Sequence, residues 1–275
     1  MKVCRKDDLG DRMKAYEAAG DVRLDGLLPI YARIDGRGFS RFTRGMKRPF
    51  DPSMTAAMVE TVKGLVEKTH ARIGYTQSDE ISLVWLADEG SQVFFDGRAQ
   101  KLTSVLSGLA TALFNRAILA DPELAGYADR LPHFDCRVVQ LPSREEAANM
   151  LLWRELDATK NAIQSAAYAE FSHKALHGKS TKEMRAMMAE RGVDFDAFPV
   201  AFRRGTFVRR VTEARTLSAT EIERIPEGRR PAPNATFLRS DVRVVEMPPL
   251  LTVSNRADVL LDAAQTNPHT PQPGP

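Results

Sequence analysis

The chain reads as an α+β protein, and three observations predict it. Apolar runs in the first 140 residues change period in the order strand, helix, strand, strand, helix, strand. The middle two strands are separated only by Gln77-Ser78-Asp79-Glu80, a connection short enough for a hairpin. Beyond Pro142 helix-start signatures take over. This order is the split βαβ, or ferredoxin-like, plan: two helices on one face of a four-stranded antiparallel sheet, followed by a helical extension.

Each element has its own signal. Leu28-Pro29-Ile30-Tyr31-Ala32-Arg33-Ile34 is a strand ending at Asp35, where Gly36 and Gly38 force a turn. Asp51-Pro52-Ser53 starts a helix in which Met54, Met58, Val62, Leu65 and Val66 repeat at helical spacing to about residue 71. Ile73 to Thr76 and Ile81 to Leu86 are the hairpin strands, so the acidic segment between them lies on a turn. A second helix spans 99–119, with Leu102, Val105, Leu106, Leu109, Leu113 and Phe114 on one face, and Phe134 to Val139 is the fourth strand. Ser143-Arg144-Glu145-Glu146 opens a long helix running to roughly Ala175, and Ser180-Thr181-Lys182-Glu183 opens another. The organisation expected is an α+β unit over 1–140, a mainly helical extension over 141–265 with a basic strand region near 200–210, and a proline-rich disordered tail over 266–275.

Composition narrows the class. A 43% hydrophobic fraction over 275 residues is enough for a real core, and a formal charge of only +3 is unlike a histone-type basic binder. Two cysteines, Cys4 and Cys136, are too few for a disulfide framework or a zinc cluster. Nothing at the N-terminus reads as a signal peptide, so a reducing cytoplasm is the default expectation. No run reaches the roughly 18 apolar residues of a membrane span, and no membrane partner is expected.

Two acidic segments carry the chemistry. In the ferredoxin-like plan the first strand lies beside the hairpin strands, so Asp35 and Asp79 meet at one edge of the sheet despite their separation in sequence. Converging carboxylates repel, and one or two magnesium ions would offset that repulsion while bridging triphosphate oxygens. Gly36 and Gly38 would let backbone N–H groups approach the phosphates, with Arg37 as a charged neighbour. Taken singly, each segment is equally an ordinary turn, and only their joint placement favours a site.

These residues, together with several further motifs, carry a resemblance. Ile34-Asp35-Gly36-Arg37-Gly38-Phe39 with Arg41-Phe42, Tyr75-Thr76-Gln77-Ser78-Asp79-Glu80-Ile81-Ser82, Arg98-Ala99-Gln100-Lys101-Leu102, Phe134 to Val139 with Pro142-Ser143, Trp153-Arg154-Glu155-Leu156-Asp157 and Arg203-Arg204-Gly205-Thr206 follow in order. Through most of the first 210 residues the chain resembles the tRNA-histidine guanylyltransferase family, especially its bacterial and archaeal Thg1-like proteins. The resemblance implies a polymerase-type palm and reverse, 3′-to-5′ addition of nucleotides to the 5′ end of tRNA, with two Mg2+ ions and nucleoside triphosphates (GTP, ATP). It implies Asp35 and Asp79 as metal carboxylates, the Gly36 carbonyl as a further ligand, and the Gly36 to Phe39 backbone as a triphosphate cradle. Ser78 and Glu80 would support that site, Glu80 as a catalytic residue with Asp35 and Asp79, and the assembly would be a homotetramer sharing the RNA.

Other residues keep two readings. Arg98 and Lys101, three apart on the second helix, either reach a phosphate or are solvated surface. Arg44 and Lys47, with Arg41 and Arg48, form a basic loop that is either a solvated charge run or a contact for triphosphate or the tRNA 5′ end. Arg203 and Arg204 pose the same choice between RNA backbone and surface. Where eukaryotic members carry His-Ile-Asn-Asn, this chain has Thr159-Lys160-Asn161-Ala162. That departure favours tRNA 5′-end repair over strict tRNA-His guanylylation. Asn161 keeps a polar group there and is either an RNA contact or a helix-surface amide. Gly178-Lys179-Ser180 is not a P-loop, because His173 stands where the first glycine belongs. Trp85 and Trp153 read most simply as packing residues. A palm-type nucleotide cyclase and a non-catalytic tRNA-binding protein remain as alternatives.

Overall fold

Alternation decides the sheet. In β1 (Ile30–Gly36), Ile30, Ala32 and Ile34 are buried in one apolar cluster, while Tyr31 joins a second cluster on the other face. The computed structural model describes residues 6–86, 94–232 and 235–262; the tail expected over 266–275 lies outside them. Around β1 the chain runs α1 (Lys6–Ala18), β1, α2 (Phe39–Phe42), α3 (Pro52–Thr69), β2 (Ile73–Gln77), β3 (Glu80–Trp85), α4 (Ala99–Ala120) and β4 (Phe134–Gln140). It continues through α5 (Arg144–Glu170), α6 (His173–Leu176), α7 (Thr181–Glu190), α8 (Val200–Arg204), β5 (Thr206–Thr216), α9 (Ala219–Glu223), β6 (Thr236–Val245) and α10 (Arg256–Leu261).

The sheet is antiparallel in the order β4-β1-β3-β2-β5-β6. Its first four strands have the expected plan, with β1 between β3 and β4. Helices α3 and α4 cover one face through Met58, Val62, Leu65, Leu102, Leu106, Leu113 and Phe114. Asp51 caps α3 by accepting from the backbone N–H of Ser53 and Met54, with Pro52 in the first turn. Gly74 lets α3 approach β2: a Cβ there would lie 2.5 Å from Val62 and 2.9 Å from Val66. On the opposite face, α5 and α10 pack over Tyr31, Ile73, Tyr75, Val84 and Phe207. A third cluster joins the far half of α5 to α6, α7 and α8.

Several expectations change. The segment before β1 contains a helix, α1, although its charges show no apolar stripe. The long helix stops at Glu170 rather than Ala175: Phe171 is extended, and Ser172 caps α6 by accepting from the Ala175 N–H. The extension is not only helical, for β5 and β6 pair over ten positions and widen the sheet to six strands. The basic stretch near 203 is accordingly split: Arg203 and Arg204 end α8, and the strand begins at Thr206. Contrary to the expectation that no run qualifies, α4 is long and apolar enough to cross a membrane by length and composition, with mean hydropathy 1.4. Its buried residues pack on α3 and the sheet, the setting of a core helix.

Candidate active site

The carboxylates converge through strand register. Asp35 is the Cα partner of Glu80 on β3 and of Asp135 on β4. Directly paired residues share a face, so these three acids form a row on the side opposite α3 and α4. Asp79 joins them from the two-residue turn between β2 and β3, where Ser78 takes φ +54. The Gly36 N–H donates to the Asp79 carbonyl at 3.0 Å, pinning that turn to the end of β1. Asp35 and Asp79 are thus brought together as the sequence predicts.

The surroundings disfavour the charge on Asp79. Burial pushes the Asp79 carboxyl above its ordinary value and the Asp35 charge adds to that; backbone bonding and the Ser78 hydroxyl, 3.1 Å from Oδ1, oppose it. Among the described residues, the groups that act on Asp79 include no cation. Among the described residues no group of three His, Cys, Asp or Glu side chains is placed to hold an ion. Two carboxylates would supply only part of an octahedral oxygen shell, which fits Mg2+, an ion that completes its shell with phosphate and water.

The turn after Asp35 is shaped by an aromatic anchor. A Cβ on Gly36 would lie 2.3 Å from the Phe39 ring. That ring is buried against Phe42, Phe114 and Phe134 at centroid distances of 5.1, 5.5 and 5.1 Å. Phe39 therefore offers only its backbone to a ligand. Arg37 and Gly38 are exposed, and Gly38 has φ +66.

Glu80 has a different place from the one expected. Arg154 of α5 forks onto it, Nε to Oε1 at 2.5 Å and Nη2 to Oε2 at 2.6 Å, and Nη2 also donates to Asp157 at 3.2 Å. Burial raises the Glu80 carboxyl and the Arg154 fork works against that. Glu80 thus holds the start of β3 beneath α5 and is not a free catalytic acid or base. Both Arg154 and Asp135 lie in the motifs that carry the family resemblance, yet neither has a role legible from sequence.

Beside the Ser78 turn lies a cavity of about 130 Å³. It is walled by Lys47, Asp51, Gln77, Ser165 and the stacked pair Phe50–Phe202, whose centroids are 4.8 Å apart. Pockets that engulf a drug-sized ligand measure roughly 300–1,000 Å³. This one suits a single planar group. Lys47 lines it while its ammonium donates to Glu123 at 3.0 Å, and Arg44 is exposed nearby in sequence.

The remaining basic residues lie elsewhere. Arg98 is the N-cap residue of α4, paired with Asp21 at 2.7 Å, and Lys101 stands over the Phe95 ring at 4.9 Å. The carboxylate end of the sheet meets α4 at Thr111, whose hydroxyl accepts from the Phe134 N–H at 3.2 Å. Helical rise puts Arg98 about 20 Å from that point. Arg203 donates to the Phe198 carbonyl and faces Asp196; Arg204 is held by Glu155 at 2.6 Å and the Met247 carbonyl at 3.0 Å. Arg204 is scaffold, tying α8 to α5 and to the segment after β6. Asn161 is exposed on α5, 3.4 Å from Asp157.

The chain is similar to known proteins over much of its length. The family model described as tRNAHis guanylyltransferase matches residues 10–142, which contain both acidic segments. The chain is similar to a solved bacterial tRNA(His) guanylyltransferase (Thg1)-like protein in complex with ATP: 37% identity, TM-score 0.68, covering 73% of this chain and 88% of that one. A second, in complex with GTP, shows 30% identity and TM-score 0.67, covering 89% and 94%. The tRNA(His) guanylyltransferase of Schizosaccharomyces pombe is 32% identical over 164 residues, 57% of this chain and 58% of that protein's length. A palm-type sheet with these relatives defines a nucleotidyltransferase. The chain belongs to the tRNA-histidine guanylyltransferase family.

Proposed function

We propose that this protein adds nucleotides to the 5′ end of tRNA in the 3′-to-5′ direction, with nucleoside triphosphates as substrates and Mg2+ as cofactor. The observation that carries the reading is the convergence of Asp35 and Asp79 at one sheet edge, beside a turn able to face phosphates and a cavity able to take a base. The solved Thg1-like relatives hold ATP and GTP, which supports both as substrates here.

In the reaction, the 3′-hydroxyl oxygen of the incoming nucleotide attacks the activated 5′-phosphorus of the RNA. A new P–O bond forms as the bond to the activating group breaks: pyrophosphate leaves where the RNA carries a 5′-triphosphate, a nucleoside monophosphate where a 5′-monophosphate has first been joined to one by a triphosphate with release of pyrophosphate, and the hydroxyl proton passes to solvent. Magnesium, when bound, neutralises charge on the phosphoryl oxygens and acidifies the attacking hydroxyl. The chain's own residues do the positioning. Asp35, Asp79 and the Gly36 carbonyl would hold the cation, and the backbone from Gly36 to Phe39, with Arg37, would face the triphosphate. The cavity takes the base, leaving sugar and phosphates outside at the Ser78 turn. Arg44 and Lys47 border that path, and the exposed Lys47–Glu123 pair is weak enough to open for a phosphate.

Without the histidine of the eukaryotic motif before Asn161, repair of 5′-truncated tRNA is favoured over tRNA-His guanylylation alone. A homotetramer gives Arg98 and Lys101 a use, since residues far from their own carboxylates can hold RNA engaged at another subunit. The test is incubation with Mg2+, labelled triphosphates and a tRNA lacking its first nucleotide. The wild type extends the RNA; Asp79→Ala abolishes extension while circular dichroism shows the fold retained. Full activity in that variant would overturn the assignment.

A further inference from the structure

Trp153 is half exposed, with 51% of its surface open, whereas Trp85 is buried with 9% open. Trp153 is the most exposed large apolar side chain on α5, ahead of Leu156 and Tyr168 at 44% each, and a ring of that size in solvent calls for an explanation. One side of the ring is occupied: the Arg154 guanidinium carbon lies 4.6 Å from its centroid. That guanidinium is itself locked by its two bonds to Glu80, the cross-strand partner of Asp35 and chain neighbour of Asp79. The ring is thus backed by a guanidinium that itself reaches the carboxylate row at Glu80. Arg33 and Arg137, register partners on the same sheet face, add positive charge there.

The placement relative to the base cavity matters equally. Ser165, further along the same helix, lines that cavity. The stretch from Arg154 to Ser165 is about 16 Å of helix. Asp79 follows Ser78 at the cavity's edge and precedes Glu80 on the Trp153 side. Along the chain, Asp79 and Glu80 therefore lie between the cavity beside Ser78 and the guanidinium that backs the open Trp153 ring.

We propose that Trp153 is a stacking platform for the terminal base of the RNA, set in place by Arg154 as a positioning residue. This rests on the nucleotide-addition reading above. An RNA end is the occupant because an exposed ring backed by a cation accepts any base without selecting one, and because the cavity beside Ser78 is the place proposed for the incoming nucleotide. The base stacked on Trp153 aligns the 5′-phosphorus over Asp35 and Asp79; the ring touches no reacting atom.

The experiment combines kinetics with a direct reporter. With 5′-truncated tRNA, Trp153→Ala raises KM for RNA roughly ten- to hundredfold. It leaves KM for the triphosphate unchanged, and Trp153→Phe restores most of the loss. In protein carrying fluorotryptophan, the tRNA shifts the 19F resonance of Trp153 and leaves that of Trp85 in place, while ATP or GTP alone shifts neither. An unchanged KM for RNA in Trp153→Ala, a loss confined to kcat, a triphosphate-induced shift, or no RNA-induced shift at saturation each overturns the proposal. A wild-type protein that neither binds nor extends the tRNA refutes the nucleotide-addition reading itself, a separate outcome.

Discussion

Asp79 concentrates the cost and the use of this fold. Its carboxyl is raised by burial and by Asp35, so its ionised form destabilises the folded chain. The sign follows: the folded state takes up the proton more readily, so stability is full below the ordinary carboxylate range and falls as pH rises through the folded value. Asp79→Asn keeps the oxygen that accepts from Ser78 and removes the charge. It should raise Tm by a few degrees at neutral pH, about 2–4 °C per kcal/mol, with little gain near pH 4, while abolishing nucleotide addition. Millimolar Mg2+ should raise the wild-type Tm and leave that of Asp79→Asn unmoved. A lower Tm for the variant at pH 7 would show that the aspartate is there for stability. The acidic pair was legible in sequence because strand order alone makes the first strand a neighbour of the hairpin. The role of Phe39 was not, since only packing shows its ring folded back over Gly36 into the Phe42, Phe114 and Phe134 cluster.

At the scale of elements, α5 binds the two halves of the molecule to the site. Arg154 holds Glu80 at the start of β3, and Glu155, one residue on, holds Arg204 and accepts from the Leu250 N–H at 2.8 Å. Removing one partner of such a pair leaves a buried charge, so Arg154→Ala should cost about 3 kcal/mol in chemical denaturation. It should cut kcat besides, because β3 carries the Asp79 turn. A cost under about 0.5 kcal/mol would show the fork to be incidental. This pairing could not be read from Trp153-Arg154-Glu155, because the angle at which α5 crosses the sheet decides which residue meets Glu80. The hairpin of β5 and β6 escaped for another reason. Phe207 and Val208 are buried at its base, but Glu213 to Thr216 and most of β6 are solvated, so charge replaces the alternation that reveals a half-buried strand. The early end of α5 carries a weak mark in sequence, Ser172, whose capping role is visible only once Phe171 is seen to be extended.

The whole molecule divides its labour across the sheet. One face is dry and holds α3 and α4; the other carries the acid row at the edge of α5, the helix that bears Trp153, and the cavity lies at the end of β2 between α3 and α8. Four-strand order, both long core helices and the acidic turns were legible because each depends on local period and short connections. The separation of Arg98 and Lys101 from the acids was not, since it follows from the direction in which α4 runs. The measurement that bears most directly on the central claim is the product formed from Mg2+, a labelled triphosphate and a tRNA missing its 5′ nucleotide, mapped by nuclease digestion from each end. The account predicts one or more nucleotides joined at the 5′ end with release of pyrophosphate, absent in Asp35→Ala and Asp79→Ala. Label at the 3′ end, a cyclic nucleotide formed without RNA, or undiminished product in either variant would contradict it.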